Sequence, residues 1–163
     1  MTYFTATHNR QQATLSSRFK FNLKTHTVMS KDLFTRGQTI LESQPFSQAM
    51  EAKLARLEPG FAELHLHIHP KLLQQHGFVH GGAVSYLADN ALTFAGGSVL
   101  GDSVTAEFKI NYVRPALGKR LVAKARVVHA GRSLAVCSCE IYCIDEQGEK
   151  LCAMAQGTIN KVS

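Results

Sequence analysis

The segment His80-Gly81-Gly82 combines features that suit reactions at a carbonyl group, and it precedes the longest helical pattern in the chain. Two successive glycines at a helix start let another group approach the backbone closely. The first N–H groups of a helix have no partner inside it, and the helix dipole adds positive charge there. Such donors suit an oxyanion hole, which binds the oxygen that becomes negative during acyl transfer. Close packing between the helix and a sheet is the simpler interpretation of the same glycines.

Asp89 is the acidic residue that this helix could contribute to a reaction. It lies eight residues after Gly81, a little over two turns along the helix, and it shares a face with Ser85 and Thr93 rather than with the apolar stripe. On a solvated face the carboxylate would need no functional explanation. In a groove between two subunits it would be half-desolvated, and it could act as a base on water or as a nucleophile. The residues alone leave both interpretations open.

Hydrophobic periodicity predicts the elements that would position these groups. The apolar stripe of the long helix has helical spacing and is followed by Gly96-Gly97, which predicts its end: Val84, Leu87, Ala88, Ala91, Leu92 and Ala95. Before it, residues 61–69 alternate as a half-buried strand after the turn Glu58-Pro59-Gly60. A first helix begins after Ser30 as N-cap and ends near Pro45, where a short turn at 46–50 and a polar stretch follow.

Four strands are predicted after the long helix, separated by short turns: residues 104–113, 120–129, 133–144 and 150–162. Short turns make consecutive strands antiparallel neighbours. One strand, one long helix and four strands predict a single α+β domain, in which a curled antiparallel sheet wraps around one central helix. Such a sheet has exposed edges, and we expect two copies of the chain to pair edge to edge.

Composition and charge exclude several classes of protein. With 163 residues and 45% apolar residues, the chain fits one globular domain. No apolar run is long enough for a membrane helix, and the N-terminus lacks the apolar region of a secretory signal. The net charge of +6 comes almost wholly from residues 1–31, which carry +5. The nearly neutral remainder does not favour nucleic-acid binding, so we expect no nucleic-acid and no membrane partner.

We assign residues 1–29 to a basic, poorly ordered extension and residues 30–163 to the single domain. The extension is rich in Ser, Thr, Asn and Gln and poor in apolar residues. A dispensable segment upstream of Met29, a solvated arm and an organelle-targeting peptide all fit this composition. The four cysteines show no disulfide or CxxC spacing, which indicates reduced thiols and a cytoplasmic location.

The stretch HGFVHGGAVSYLADNA, the strand VTAEFKINYVRPA and the later HAGRSLAVCSCEIYCIDEQGEKLCAMAQGT resemble the acyl-CoA thioesterases of the phenylacetic-acid-degradation type. The resemblance covers residues 44–162, and its core is HGG followed after six residues by Asp. It implies the hotdog fold and a homodimer or dimer of dimers with the active site at the subunit interface. It also implies that acyl-CoA is hydrolysed to a free acid and CoA without a metal or organic cofactor.

The resemblance also implies roles for individual residues. Asp89 matches the helix carboxylate that acts as general base or nucleophile, and Gly81 matches the glycine whose N–H polarises the thioester carbonyl. Gln74 matches a residue that helps to place the carbonyl or water, and Thr105 a hydroxyl that orients water from the opposing subunit in some members. Substrate-binding positions follow more loosely: His80 and Gly82 in the loop and Thr93 as a helix hydroxyl. Arg132, in the turn Gly131-Arg132-Ser133, could bind a CoA phosphate because a guanidinium group suits phosphate geometry, and a solvated arginine is the simpler interpretation.

Two other functions stay open at this point. In hotdog dehydratases and hydratases a His acts with an acid across the dimer groove, as His80 could here, although the expected dehydratase spacing is missing. A non-catalytic acyl-CoA-binding protein would use the same pocket without turnover. His65, His67 and His69 project from one strand face, where a solvated or interfacial stripe is favoured over a metal site. Cys137, Cys139 and Cys143 share a strand face and lack a partner base, so we expect no catalytic thiol.

Overall fold

The computed structural model describes residues 31–162, so the expectations for residues 1–29 and for the Ser30 cap lie outside the described residues. Residues 31–43 form helix α1, and Pro45–Ala49 form the short helix α2. Strands β1 (Lys53–Glu58) and β2 (Phe61–His67) follow, joined by the turn at Gly60. A short 3-10 turn at Pro70–Leu72 then leads to the long helix α3 (Gly81–Leu100). The predicted alternation of β2 is confirmed, because Ala62, Leu64 and Leu66 are all fully buried.

Four strands follow α3 in sequence: β3 (Ser103–Tyr112), β4 (Arg120–Ala130), β5 (Leu134–Asp145) and β6 (Gly148–Lys161). Together with β1 and β2 they form one six-stranded antiparallel sheet in the order β1-β2-β4-β5-β6-β3. Helix α3 contacts all six strands, and its apolar stripe is buried against them. The predicted α+β architecture, a sheet wrapped around one central helix, is confirmed.

Strand β1 was not predicted, because residues 51–57 were interpreted as a polar stretch. Only Leu54 and Leu57 of this strand are buried, and they are three residues apart rather than two. The pairing with β2 shifts register between Leu54 and Arg56, which is a β-bulge. A bulge inserts one extra residue and so removes the alternation by which a strand is recognised in a sequence.

The prediction that β3 and β4 are neighbours was wrong. Strand β3 pairs with β6 at one edge of the sheet, and β2 occupies the place beside β4. Residues 113–119 connect β3 to β4; this connection includes Pro115 and is too long for a tight hairpin. Its ends are held by hydrogen bonds to other segments, since Val79 N–H donates to Ala116 O and Lys119 N–H donates to Ile144 O at the end of β5. The predicted β4-β5-β6 meander is confirmed.

The predicted end of α3 at Gly96-Gly97 was also wrong, since the helix continues to Leu100. A Cβ atom at Gly96 would lie 2.7 Å from Cβ of Ile159 on β6, so this glycine serves close packing rather than termination. The helix ends at Gly101, whose φ of 87° suits glycine and whose N–H donates to Gly97 O. The absence of a side chain at Gly96 thus lets α3 pack directly against β6.

Candidate active site

A row of α3 residues spaced by four lies along the edge strand β3: Gly81, Ser85, Asp89 and Thr93. Positions four apart share one face of a helix, which is why these residues line up. Tyr112 at the end of β3 reaches Gly81 and Ser85, and Thr105 near its start reaches Asp89 and Thr93. The predicted shared face of Ser85, Asp89 and Thr93 is therefore confirmed, and β3 is the element that supports it.

Asp89 is half-buried and is held by hydroxyl groups of its own chain. Thr105 Oγ1 donates to Asp89 Oδ1 at 2.7 Å. Thr93 Oγ1 lies 2.7 Å from Thr105 Oγ1 and 2.8 Å from Asp89 O, so its single proton serves one of these acceptors at a time. Among the described residues Asp89 Oδ2 has no hydrogen-bond partner, which leaves one carboxylate oxygen free for water or substrate.

The contact between Thr105 and Asp89 lies within one chain. The resemblance implies a hydroxyl that orients water from an opposing subunit; within its own chain, the same position donates to the carboxylate of Asp89. A hydroxyl that donates to an ionised carboxylate forms a charge-assisted hydrogen bond, which is stronger than a neutral one. Thr105 therefore restricts the rotamer of Asp89 and selects which oxygen faces outward.

The expectation that several N–H groups at the start of α3 are free holds for one of them. His80 is the N-cap residue, and its Nδ1 accepts from Gly82 N–H at 2.9 Å. The Ala83 and Val84 N–H groups both donate to His80 O. The Gly81 N–H has no acceptor among residues 31–162. The candidate oxyanion hole thus contains a single backbone donor, at Gly81.

His80 and Gly82 support this donor rather than providing further ones. A Cβ at Gly82 would lie 2.9 Å from His80 Nδ1, so only glycine admits the capping imidazole. Because Nδ1 accepts a hydrogen bond, the ring proton of a neutral His80 resides on Nε2. The side chain of His80 is exposed, which leaves Nε2 available to a ligand.

An open cavity of about 350 Å³ lies beside Gly81, between the start of α3 and the connection from β3 to β4. It is lined by Gln74, Gly81, Tyr112, Arg114 and Cys152, among others. Gln74 Oε1 accepts from His76 N–H at 3.0 Å, so its Nε2 amide is the group left to donate to a ligand. The structure thus brings Gln74 and Gly81 to one cavity, as expected.

Arg132 is exposed in the turn between β4 and β5 and lies away from this cavity. The turn is at the end of the sheet where Leu134 pairs with Asn160 and Asn160 pairs with Val104. Two strand spacings of about 4.8 Å separate Leu134 from Val104, which precedes Thr105. Arg132 therefore belongs to the end of the sheet that holds Asp89, not to the end that holds Gly81.

Sequence reasoning missed Tyr112. Its hydroxyl donates to Gly81 O at 3.0 Å and lies 2.5 Å from Ser85 Oγ. Simple alternation would put Thr105 and Tyr112 on opposite faces of β3, because one position is odd and the other even. A register shift between Thr105 and Glu107 inserts one residue and turns both side chains toward α3. No signal in the sequence marks this bulge.

The His, Cys, Asp and Glu side chains of the described residues are the candidates for metal and thiol sites. They include no cluster of three or more His, Cys, Asp or Glu residues able to hold a metal ion. The four cysteines are buried and free. Burial raises the pKa of Cys137 to about 11 and that of Cys139 to about 12, so both remain protonated at neutral pH.

None of the helices within residues 31–162 has the length and hydrophobicity of a membrane-spanning segment.

Comparison with known proteins gives a consistent result. The sequence profile of the Thioesterase superfamily matches residues 76–150. A thioesterase family protein from Silicibacter pomeroyi is 32% identical, and its solved structure gives a TM-score of 0.72 with 85% of this chain and 99% of that chain covered.

Two enzymes with assigned activities are also similar. Acyl-coenzyme A thioesterase PaaI of Escherichia coli is 27% identical over 82% of this chain and 94% of its own length, and a solved PaaI structure gives a TM-score of 0.75. Proofreading thioesterase EntH of Klebsiella pneumoniae is 30% identical over 63% of this chain and 76% of its own length. The chain belongs to the thioesterase superfamily, as a PaaI-like member with the hotdog fold.

Proposed function

We propose that this chain hydrolyses acyl-CoA thioesters to a carboxylic acid and CoA. The observation that carries the proposal is the pairing of one oriented carboxylate, Asp89, with one free backbone donor, Gly81, on a PaaI-like scaffold. Gly81 N–H binds the thioester oxygen as it becomes negative, and Gln74 Nε2 helps to place the carbonyl group. Asp89 supplies the base or nucleophile that the reaction needs.

Two chemical routes are available to Asp89. As a general base it removes a proton from water while the water oxygen bonds to the thioester carbon; the C–S bond then breaks, and the CoA thiolate takes up the proton. As a nucleophile it forms a mixed anhydride and releases CoA before water attacks. Oxygen-18 in the Asp89 carboxylate after a single turnover in labelled water identifies the nucleophilic route, because only opening of the anhydride at that carboxyl carbon places label there; label in the acid product alone is common to both routes.

The two reactive groups must come from different copies of the chain. Eight residues of α3 separate Gly81 from Asp89, which is about 12 Å along the helix axis. A donor and a base that serve one thioester carbonyl must each lie within about 3 Å of adjacent atoms. We propose a homodimer in which Gly81 of one protomer faces Asp89 of the other, so that each dimer contains two sites.

Strand β3 is the surface that such a dimer would use. It is an edge strand with an unpaired side, and about half of the surface of Val104, Tyr112 and Val113 is exposed. Pairing of β3 with β3 of a second copy would join the two sheets and cover these side chains. The same pairing would place the two polar rows of α3 next to each other. A dimer of two such dimers is compatible with this arrangement.

Complementation between two strongly impaired variants tests the shared site. The first variant is Asp89→Asn, which lacks the carboxylate. The second is Gly81→Pro, which lacks the N–H. Proline is tolerated here because it suits the first position of a helix and because the residue before it, His80, has an extended backbone conformation. A purified mixed dimer has one intact site if the groups come from different protomers, and we expect about half of the wild-type activity. A mixed dimer as inactive as its parents would contradict the shared site.

Release of free thiol from a panel of acyl-CoA substrates tests the reaction itself. We expect thiol release by the wild-type protein and its loss in Asp89→Asn. Formation of an enoyl product from 3-hydroxyacyl-CoA without thiol release would indicate a dehydratase instead. Tight binding of acyl-CoA without any turnover would indicate a binding protein.

We also propose that Arg132 contacts a phosphate of CoA and that the protein acts in the cytoplasm. Arg132 is exposed at the end of the sheet that holds Asp89 and Thr105, where the CoA portion of the substrate could leave the shared site. The guanidinium group matches phosphate in charge and geometry. The four free cysteines support a reducing compartment.

A further inference from the structure

Tyr112 holds the peptide group that adjoins the donor at Gly81. The peptide that links Gly81 to Gly82 has two polar atoms, and a side chain binds each of them. Tyr112 Oη donates to the carbonyl oxygen at 3.0 Å, and His80 Nδ1 accepts from the N–H at 2.9 Å. Both glycines lack a Cβ and are the most mobile type of residue. The hydrogen bonds from Tyr112 and His80 therefore restrict a backbone that no Cβ atom restricts.

The ring of Tyr112 adds a steric restraint to this hydrogen bond. A Cβ at Gly81 would lie 3.3 Å from the Tyr112 hydroxyl oxygen and 3.4 Å from its Cζ atom. The hydroxyl end of the ring thus occupies the space that a side chain at Gly81 would enter, beside the cavity that Tyr112 and Gly81 line together. This limits the room into which the Gly81 backbone can turn.

Ser85 extends the hydrogen bond from Tyr112 to Gly81 into a chain of two hydrogen bonds. A tyrosine hydroxyl has one proton, and here that proton goes to Gly81 O. The contact of 2.5 Å between Ser85 Oγ and Tyr112 Oη must then have Ser85 as the donor. Ser85 to Tyr112 to Gly81 is therefore a directed chain of hydrogen bonds, and it ends at the residue that carries the candidate oxyanion donor.

We propose that Tyr112 is a positioning residue for hydrolysis, which orients the Gly81 N–H toward the thioester oxygen without contacting the reacting atoms. This inference rests on the proposed function. Because Tyr112 ends the edge strand β3, it also links the orientation of the donor to the strand at which a second copy would pair. An oxyanion donor acts mainly on the transition state, so its misorientation lowers kcat more than it weakens substrate binding.

Tyr112→Phe removes the hydroxyl and retains the ring. Removal of a whole oxyanion donor costs about 10²–10³ in kcat, so loss of its orientation should cost less, about tenfold. We expect KM to change by less than twofold and the dimer to persist. Tyr142→Phe is the matched control, since the Tyr142 hydroxyl donates to Glu140 at 2.9 Å within β5, away from the site. We expect this control to keep the wild-type kcat.

Coupling to Gly81 separates positioning from a merely structural role. In a Gly81→Pro background there is no N–H to orient, so adding Tyr112→Phe should lower kcat no further. Equal kcat for Tyr112→Phe and wild type, or the same tenfold loss in both backgrounds, would overturn the inference. If the wild-type protein hydrolyses no acyl-CoA, the proposed function fails instead, and the two failures are thereby distinguished.

Discussion

The two ends of the polar row on α3 differ in the kind of group that we propose takes part in the reaction. At Gly81 the proposed group is a backbone N–H, which any residue except proline would carry. At Asp89 it is a side chain, held by Thr105 Oγ1 at 2.7 Å. The Gly81 end depends on the absence of side chains and on neighbours that restrain the glycines, namely His80 and Tyr112. The Asp89 end depends on one residue and one hydrogen bond.

This difference predicts different responses to mutation. Substitution of Asp89 removes the reactive group itself, whatever surrounds it. Substitution at Gly81 leaves the N–H in place unless the new residue is proline, and its effect depends on what the added Cβ meets. We therefore expect activity to survive some substitutions at Gly81, whereas substitutions of Asp89 should remove it. Four variants test this comparison, beginning with the largest expected effect.

Asp89→Asn should have the largest effect, because it keeps the size of the side chain and removes both charge and basicity. General acid–base catalysis contributes about 10²–10⁴-fold, and we expect kcat to fall by that range while the affinity for CoA changes little. Steady-state thiol release and CoA binding by calorimetry measure the two quantities. Asp102→Asn, at an exposed carboxylate just beyond α3, is the control and should retain activity. Wild-type turnover by Asp89→Asn would refute its role.

Gly81→Pro should lower kcat by about 10²–10³-fold, because it deletes the single free donor of the helix start. Gly81→Ala is its matched partner, since it adds a Cβ at the same place, 3.3 Å from the Tyr112 hydroxyl, and retains the N–H. We expect the alanine variant to lose far less activity than the proline variant in the same assay. Equal losses would show that crowding of Tyr112, and not the N–H, limits the reaction.

Thr105→Val should lower kcat by about tenfold, the effect of one hydrogen bond to a charged group. Valine keeps the shape of threonine and leaves Asp89 Oδ1 without its donor. Thr158→Val is the matched control, because Thr158 Oγ1 donates to Glu107 Oε1 at 2.6 Å elsewhere in the sheet. Stopped-flow or steady-state thiol release compares the two variants. An equal effect in both would mean that the hydroxyl at position 105 acts only through stability.

Arg132→Ala should have the smallest effect, because an exposed ion pair contributes little in water. We expect KM for acyl-CoA to rise by about two- to fivefold, with kcat unchanged and with a smaller difference at high salt. Arg120→Ala, at the opposite end of β4, is the control. If both variants behave alike at low salt, Arg132 makes no specific contact with a CoA phosphate.

Much of the fold could be predicted because local signals agree with it. The apolar stripe of α3 and the alternation of β2 are direct consequences of burying one face of each element, and both were found. The turns between β4, β5 and β6 are short, which makes these strands neighbours. Gly96 misled the prediction because a glycine that admits a neighbouring strand has the same letter as one that ends a helix.

In the candidate site, too, some residues are marked by a local sequence signal and others are not. Asp89 and Gly81 could be proposed from the sequence because a carboxylate and a glycine at a helix start suit this chemistry, and the family resemblance selects them. Two β-bulges were invisible. One hid β1, and the other, between Thr105 and Glu107, hid the part played by Tyr112. A bulge is decided by how two strands fit together, and no residue type is reserved for it.

The amino-acid sequence determined which candidate reactive groups α3 carries and how far apart they lie along it, because helical spacing follows from local hydrogen bonding. Only the tertiary structure decided that β3 runs at the edge beside β6 and that its bulge turns Thr105 and Tyr112 toward the same helix. The physical reason is that strand order and register depend on contacts between segments distant in the chain. Such contacts orient Asp89 and restrain Gly81.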